Sequence, residues 1–432
     1  MHYRKDLSAD GLIGDIRSCF SNVIDDRKDR RELSLVDVLM SGFALFSLKS
    51  PSLLAFDDER KSQRSKENMK NLYGIERISS DTRMREILDE VDPSQLRPSF
   101  KKLFTSFQRG KCLEHYVFLN HSYLIALDGT QYFSSKSVHC DQCLTKKSKK
   151  TGEITYQHQM VGSVLIHPDE KVVLPLCPEP IIRQDGATKN DCERNAVSRW
   201  LEKFRKDHPK LKVIITEDGL SSNAPHIKTL KDHHCSFILG AKPGDHKYLF
   251  EQVHLMANHV KELTEKEDGV HHFFRFINGV PLNESNEDLK VNFLDYCEIS
   301  QKGEQHFTWV TDIEIDSENV MAVMKGGRAR WKVENETFNT LKNQGYNFEH
   351  NYGHGHKNLS VIFALLMFLA FGVDQIQQFS CKVFQQAKEV SKSFKKLWRK
   401  MRSWFELSII PNWAELLSAI AEDKGVAFPN TS

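Results

Sequence analysis

The chain has 432 residues, of which 40% are hydrophobic and 27% charged, a composition that excludes global disorder. Its 60 Lys and Arg against 58 Asp and Glu leave a net charge of +2, which excludes a histone-like polycation. A nucleic-acid partner would therefore have to be bound by positive charge gathered into patches. The length predicts two or three domains of ~150 residues each.

Cysteine usage and hydropathy favour a protein of the cytoplasm. The nine cysteines are odd in number and scattered, which predicts no disulfide framework. Met1–Asp10 is polar and charged, with no apolar segment behind it, so we expect no signal peptide. The most apolar run, Leu359–Val373, is short for a membrane span. We therefore expect a buried helix there and no membrane partner.

Residues 1–114 are predicted to be all α-helical. Ser34 and Asp37 resemble a weak capping box in front of the apolar run Leu35–Leu48. A later helix is predicted over Thr82–Val91, ending near Pro93.

From residue 115 to 246 the pattern changes to three strands, a helix, a strand, a helix and a strand, which predicts an α/β fold with a mixed sheet flanked by helices. The apolar runs that can supply the first three strands are Tyr116–Asn120, Tyr123–Asp128, Met160–His167 and Lys171–Leu176. The elements after them are the helix Lys189–Asp207, the strand Lys212–Thr216, the helix Ala224–His233 and the strand Cys235–Leu239.

The rest of the chain divides into three predicted parts. Residues 247–316 are predicted to form a β-rich insertion, with strands at Phe273–Ile277, Lys290–Phe293 and Phe307–Ile315. Residues 317–376 should form the last helices of the core, the first over Val320–Lys342. Residues 377–432 form a basic helical tail, in which Lys382–Arg402 could lie on DNA phosphates, on a membrane surface, or with its aromatic residues packed on the body.

Three acidic residues stand out by their position. Asp128 follows the apolar run Leu124–Leu127, Asp218 follows Val213–Thr216, and a glycine follows each aspartate. Asp-Gly after a strand is a common turn, so either aspartate alone is more often structural than catalytic. In the predicted layout, however, the first and fourth strands can lie side by side in parallel, which places both aspartates at one edge of the sheet. Glu334, on a later helix, would complete a cluster of three carboxylates.

A divalent cation is the expected partner of such a cluster, because like charges in one site raise each other's pKa. Mg²⁺ prefers oxygen ligands and keeps waters that a substrate phosphate can replace. Two ions about 4 Å apart stabilise both the attacking and the leaving oxygen of a phosphoryl displacement. Zinc is a poor fit, since no His or Cys lies beside these acids in the sequence.

The order Asp128, Asp218, Glu334 on this layout resembles the RNase H-like DDE transposases of bacterial insertion sequences. More narrowly it resembles the insertion-sequence 4 group, in which a β-rich insertion separates the second Asp from the Glu. The matching blocks are Leu127–Thr130, Thr216–Gly219 and Arg330–Asn335, and the similarity runs from Leu35 to Val373. The resemblance implies an RNase H-like mixed sheet, and it implies that the three carboxylates are the catalytic ligands of Mg²⁺ or Mn²⁺, with two ions bound.

A Tyr-Arg-Glu-Lys signature marks the last catalytic helix of that group. Arg330 matches its arginine, whereas the tyrosine position is Gly327 and the lysine position is Leu341, with Lys342 one residue late. The resemblance implies that Arg330 and Lys342 bind phosphate. Trp331 would lie beside the site and stack a displaced base, with core packing as the alternative.

The activity implied by the resemblance is cleavage at the ends of an insertion sequence, followed by transfer of the free 3′-hydroxyl into target DNA. The implied partners are the terminal inverted repeats and the target DNA, bound by a homodimer that pairs two ends. The N-terminal helices of residues 1–114 would recognise the repeat, in a bacterial cytoplasm at the nucleoid. Two alternatives remain: an RNase H-like nuclease without strand transfer, and a non-catalytic DNA-binding protein derived from a transposase.

Three further polar clusters allow more than one interpretation. Lys189 and Asn190 could contact the DNA backbone, or cap a helix. Cys140 and Cys143, with His158 after them, could be half of a zinc site; free thiols in a loop are the favoured interpretation, because no second cysteine pair follows. Three histidines in Gly345–Asn358 are interpreted as part of a polar loop near the active site, and they are His350, His354 and His356.

Overall fold

A computed structural model describes residues 7–27, 33–182 and 192–423. The predicted α-helical start of the chain is confirmed for its described residues. The Ser34 side chain accepts a hydrogen bond from the Asp37 amide, as the weak capping box predicts, and α2 is almost completely buried behind it. The helices of this region are α1 (Ala9–Phe20), α2 (Leu35–Ser47), α3 (Leu53–Glu59), α4 (Gln63–Tyr73), α5 (Asp81–Asp89) and α6 (Arg97–Arg109).

The centre of the fold is a mixed sheet flanked by helices, as predicted from the sequence. Its first part contains β1 (Val117–Phe118), β2 (Ser122–Ser135), β3 (Leu144–Lys147), β4 (Ile154–Ile166), β5 (Leu174–Pro175), β6 (Glu179–Ile181), β7 (Val213–Glu217) and β8 (Ser236–Gly240). Strand β2 pairs in antiparallel orientation with β4 and in parallel with β7, and β7 pairs in parallel with β8. The predicted parallel neighbours are therefore confirmed.

Two details of the predicted core are wrong. The apolar runs Tyr116–Asn120 and Lys171–Leu176 form only the short strands β1 and β5, because 3₁₀ turns surround β1 and irregular backbone surrounds β5. The helix predicted over Lys189–Asp207 is α7 (Glu193–Asp207), which begins after Cys192; Lys189 and Asn190 lie outside the described residues.

The predicted β-rich insertion is also confirmed, but it is part of the central sheet. It contains helix α9 (Lys247–Leu255), which the sequence interpretation missed, and strands β9 (Lys261–Glu267), β10 (Val270–Pro281), β11 (Lys290–Ser300) and β12 (Gly303–Thr311). These four strands are antiparallel neighbours, and β12 pairs with β8. The insertion therefore extends the central sheet, and α8 (Ala224–Asp232) lies between β7 and β8 in the chain.

The helix predicted over Val320–Lys342 is interrupted. It consists of α10 (Val320–Ala329), a π-helical segment over Val333–Phe338 and α11 (Asn339–Asn343). At the interruption, the Lys332 ammonium donates to the backbone carbonyls of His167, Pro168 and Glu170 at 2.8, 2.8 and 2.6 Å. This anchor ties the end of the first helical segment to the sheet, and π-helical segments are frequent at functional sites.

The apolar helix α12 (Leu359–Ser380) lies in the hydrophobic core. By length and composition it is the one helix among the described residues that could cross a membrane, and its most apolar window is completely buried within the fold. It packs against α2 and β5. The prediction of a buried helix is therefore confirmed.

The basic tail packs its apolar side chains on the body. It forms α13 (Lys382–Ser391), α14 (Phe394–Leu407) and α15 (Trp413–Ala421). Leu397, Trp398 and Met401 of α14 are buried, whereas Lys396 is exposed. One hydrophobic core joins the helices to the sheet and marks no boundary between them. The domain boundaries given above therefore stay a prediction.

A histidine at the end of α7 should make the protein less stable in acid. His208 packs against the Phe104 and Phe204 rings at centroid distances of 4.4 and 5.2 Å. Burial is the main cause that lowers its pKa to about 4, and nearby cations contribute. Since the unfolded chain binds a proton near pH 6.5, stability is lost as the pH falls from about 6.5 to 4, by roughly 1–2 kcal/mol at pH 5.

The test is urea unfolding of wild type and His208→Gln at pH 7 and pH 5. The variant should lose less stability than wild type between the two pH values. Equal losses in the two proteins would contradict the assignment to His208.

Candidate active site

Asp128 lies on β2 at the point where the parallel neighbour ends. The last residue pair between β2 and β7 is Ala126 with Thr216, while β2 continues to Ser135 alongside β4. The predicted strand Tyr123–Asp128 therefore ends too early, and Asp128-Gly129 is not the turn that the structural alternative assumed. The Asp128 side chain instead projects from a continuous strand, just beyond the point where the pairing with β7 ends.

Asp218 follows the end of β7 directly, as predicted. Its carboxylate accepts a hydrogen bond from the Leu220 amide at 3.0 Å and so caps a short 3₁₀ turn. Because Ala126 is opposite Thr216, Asp128 and Asp218 each come two residues after the same point of the ladder. The two aspartates therefore extend from adjacent strands at one end of the parallel pair.

Glu334 approaches Asp128 from the π-helical segment. Arg330 donates from the same Nη1 atom to the Asp128 Oδ2 atom at 3.3 Å and to the Glu334 Oε1 atom at 3.2 Å. Burial, together with a hydrogen bond to Glu334, raises the pKa of Asp128 to about 7, although Arg330 opposes the shift. Two of the three predicted ligands thus meet across one guanidinium.

Asp218 and Arg330 line the same cavity of about 510 Å³, together with Trp331. Trp331 is 45% exposed, so core packing does not describe it. The three carboxylates do not form a group whose oxygen atoms all lie within 4.8 Å of one another among the described residues. At least one pair of these three carboxylates is therefore farther apart than 4.8 Å, and Arg330 contacts both Asp128 and Glu334.

Glu193 is a fourth carboxylate of this region that the sequence interpretation missed. It is the first residue of α7. A Cβ atom added at Gly129 would lie 2.4 Å from the Glu193 Oε2 atom, so the glycine permits this approach. Burial and the charges of Glu217 and Asp218 raise the pKa of Glu193. Nothing in the position of Glu193 along the sequence indicates that α7 brings it close to Gly129.

Lys342, a further predicted DNA contact, has a partner away from Asp128. The Lys342 ammonium pairs with Glu349 at 2.8 Å. Gly327 stands at the tyrosine position of the signature, where neighbouring atoms leave no space for a side chain. A Cβ atom there would lie 2.5 Å from the Trp309 Cε2 atom. The Trp309 indole from β12 therefore occupies the space that a larger residue at 327 would need.

Close packing between the sheet and the π-helical segment fixes where Glu334 lies. Gly162 on β4 is opposite Asp128, and a Cβ atom added at Gly162 would lie 2.5 Å from the Phe338 Cε1 atom. We expect Gly162→Ala to push Phe338 away, to cost about 1–3 kcal/mol of stability, and to lower DNA cleavage by moving Glu334 from Asp128.

The measurement pairs urea unfolding with a cleavage assay, and Gly14→Ala is the control because a Cβ atom there meets no atom within 4 Å. Wild-type stability and cleavage in Gly162→Ala would show that this contact does not position Glu334.

Comparison with known proteins gives a family. The model of the family described as "Transposase DDE domain" matches residues 123–371, a range that contains Asp128, Asp218 and Glu334. No curated protein matches the chain. Among solved structures, the chain is similar to "piggyBac transposase synaptic complex with hairpin DNA" at 12% identity and a TM-score of 0.41, over 98% of this chain and 83% of that one. That TM-score is too low to support conclusions about fold or function. Because the family match spans more than half of the chain, the protein belongs to the transposase DDE domain family.

Proposed function

We propose that this protein is a DNA transposase that cleaves the ends of an insertion sequence and transfers the 3′-hydroxyl ends into target DNA. Asp128, Asp218 and Glu334 are its catalytic carboxylates, and they hold Mg²⁺ or Mn²⁺ as two ions. The observation that carries the proposal is the contact of Asp128 and Glu334 with one guanidinium, beside a cavity that Asp218 lines. Membership of the transposase DDE domain family supports transposition in general.

The donor set fits a hard divalent cation. All three side chains offer carboxylate oxygens, the ligands that Mg²⁺ and Mn²⁺ prefer. The Arg330 guanidinium lies between Asp128 and Glu334, in a position where a cation is attracted by both carboxylates. Bound divalent ions would supply Lewis-acid stabilisation of the attacking and leaving oxygens of a phosphodiester.

The residues around the carboxylates have their own proposed roles. Arg330 contacts Asp128 and Glu334, and its guanidinium would bind a phosphate of the DNA with two parallel hydrogen bonds. Trp331 offers its exposed indole face to an unpaired base, since base–aromatic stacking tolerates any sequence. Lys342, Lys189 and Asn190 remain proposed DNA-backbone contacts.

Basic side chains give the DNA a path to the site. Lys242 and Arg328 line the cavity beside Asp218, and Arg328 also lines a second cavity of about 520 Å³, which shares Trp331 with the first. Lys171 and Lys325 line that second cavity. Basic side chains in both cavities beside Trp331 suit a strand that crosses the site with its phosphates turned toward them.

The assignment to a narrower group of transposases rests on the same residues. We propose membership of the insertion-sequence 4 group, because β9 to β12 separate Asp218 from Glu334 and Arg330 precedes Glu334 by four residues. A homodimer that pairs two terminal inverted repeats, with the N-terminal helices reading the repeat, belongs to this proposal. So does action on DNA at the nucleoid of a bacterial cytoplasm.

Strand transfer of a pre-cleaved element end tests the proposed function. An end with a free 3′-hydroxyl, incubated with the protein, Mg²⁺ and plasmid, should become covalently joined to the plasmid. Cleavage without joining would favour the nuclease alternative. Salt-sensitive binding with neither cleavage nor joining, with Mg²⁺ or Mn²⁺, would favour the DNA-binding alternative.

A further inference from the structure

A second cluster of metal-ligating side chains lies on the same strand pair as the active site. Cys140, Cys143, His158 and His354 are all buried, and their four ligand atoms lie within 4.8 Å of one another. The cysteines lie in the connection between β2 and β3, His158 is on β4, and His354 is in the loop before α12. Sequence interpretation favoured free thiols in a loop, because no second ligand pair follows at regular spacing. In the structure that pair is two histidines, which are 196 residues apart in the sequence.

The distances between these atoms are those of a tetrahedral zinc site. The two Sγ atoms are 3.8 Å apart. The His158 Nε2 atom lies 3.3 Å from the Cys140 Sγ atom and 3.5 Å from the Cys143 Sγ atom, and the His354 Nε2 atom lies 3.3 Å from the Cys143 Sγ atom. A tetrahedron with Zn–S of about 2.3 Å and Zn–N of about 2.05 Å has S–S edges of about 3.8 Å and S–N edges of about 3.6 Å.

A disulfide or a purely hydrogen-bonded cluster fits these atoms less well than a metal ion does. A disulfide would need the two sulfur atoms about 2.05 Å apart, which is far shorter than the 3.8 Å between Cys140 and Cys143. A thiol carries one proton, whereas the Cys143 Sγ atom lies 3.8, 3.5 and 3.3 Å from the Cys140 Sγ, His158 Nε2 and His354 Nε2 atoms, so hydrogen bonding alone does not account for the grouping. Two thiolates and two imidazoles in tetrahedral arrangement select zinc over Mg²⁺.

We propose that Cys140, Cys143, His158 and His354 bind one structural Zn²⁺ ion. Four protein ligands in a buried position make a closed site, which is the structural and not the catalytic type. The Cys140 amide lies 3.5 Å from the Cys143 sulfur atom, a contact that supports a thiolate there.

The position of the ion defines what it stabilises. His158 lies opposite Phe133 on β2, and four residues further along β4 Gly162 lies opposite Asp128. The zinc therefore holds one end of the strand pair that carries Asp128, about 13 Å from it by strand rise. Through His354 it also holds the loop that follows the Glu334 helix. Cys143 directly precedes β3, so the ion fixes the base of the hairpin that presents Lys146 and Lys147.

The metal content of the purified full-length chain, after removal of any affinity tag, tests the proposal. Wild type should contain one zinc per chain by elemental analysis. Cys143→Ser and His354→Ala should lose most of it and melt at a lower temperature. Cys297→Ser, at a half-buried cysteine on β11, should keep the zinc. Asp128→Asn should also keep it, which separates failure of this proposal from failure of the catalytic one.

A cobalt spectrum tests the same site without any substitution, in case the variants do not fold. Wild type in which Co²⁺ replaces zinc should show the thiolate charge-transfer band and the strong visible bands of tetrahedral cobalt. The proposal is overturned by wild type without zinc after expression in zinc-supplemented medium, by zinc retained in folded Cys143→Ser and His354→Ala, by octahedral cobalt bands, or by a Cys140–Cys143 disulfide in the intact mass.

Discussion

Asp128→Asn, Asp218→Asn and Glu334→Gln should each lower the rate of element-end cleavage by at least ~10³-fold, which corresponds to about 4 kcal/mol of lost transition-state stabilisation. Each change keeps the shape of the side chain but removes an anionic ligand, so the divalent ions no longer bind in a productive position. Binding of the DNA should change little, because the phosphates are held by basic residues. The measurement is single-turnover cleavage with Mg²⁺ beside a DNA-binding assay.

The matched controls lie close to the site. Glu336→Gln removes a carboxylate from the same π-helical segment as Glu334, at a position that lines the second cavity, and Asp245→Asn removes an exposed carboxylate near Lys242. Both should cleave at nearly the wild-type rate. Near-normal cleavage by any one of the three site variants would refute the assignment of that residue.

Asp374→Asn should destabilise the fold by about 3–5 kcal/mol, the largest effect that we expect from a residue outside the active site. Asp374 pairs with the Lys49 ammonium, whose side chain is 0% exposed, and it accepts a hydrogen bond from the Tyr346 hydroxyl. Burial raises the pKa of Asp374 and lowers that of Lys49. Without the carboxylate, Lys49 is left as a buried cation, with only the Tyr346 and Trp398 rings and the Ser47 carbonyl around it.

The control for this prediction removes both charges. Lys49→Met with Asp374→Asn keeps an acceptor for Tyr346 and leaves no buried charge, so it should recover most of the lost stability. Urea unfolding of the single and double variants measures the difference. A double variant no more stable than Asp374→Asn would show that the destabilisation does not come from the unpaired ammonium.

Local sequence patterns were sufficient to predict the parallel strands and the two aspartates near their ends. Short apolar runs bounded by turn residues mark β2 and β7 as strands, and the predicted order of elements allows them to lie side by side in parallel. The prediction that Asp128 ends its strand is wrong because β4 continues to pair with β2 after β7 has ended. This pairing joins residues that are far apart along the chain, such as Asp128 and Gly162, and a local pattern does not show it.

Long-range contacts account for the rest of what the sequence did not show. Glu193 reaches Gly129 because α7 packs against β4, the neighbour of β2, and His354 reaches Cys143 because the loop before α12 folds back on the sheet. In each case the partner is set by packing of whole elements, not by spacing. The interruption of the helix at Lys332 has the same origin, since its three carbonyl partners lie in the turn after β4.

The central claim is that Asp128, Asp218 and Glu334 jointly bind divalent cations at the site of DNA cleavage. Anomalous diffraction from crystals of the full chain soaked in Mn²⁺ measures this directly. We expect Mn²⁺ peaks in contact with all three carboxylates, with Arg330 moved away from Asp128, and no such peaks in Asp128→Asn. Mn²⁺ bound at other acids, or absent from these three while the protein still cleaves DNA with Mn²⁺, would contradict the claim.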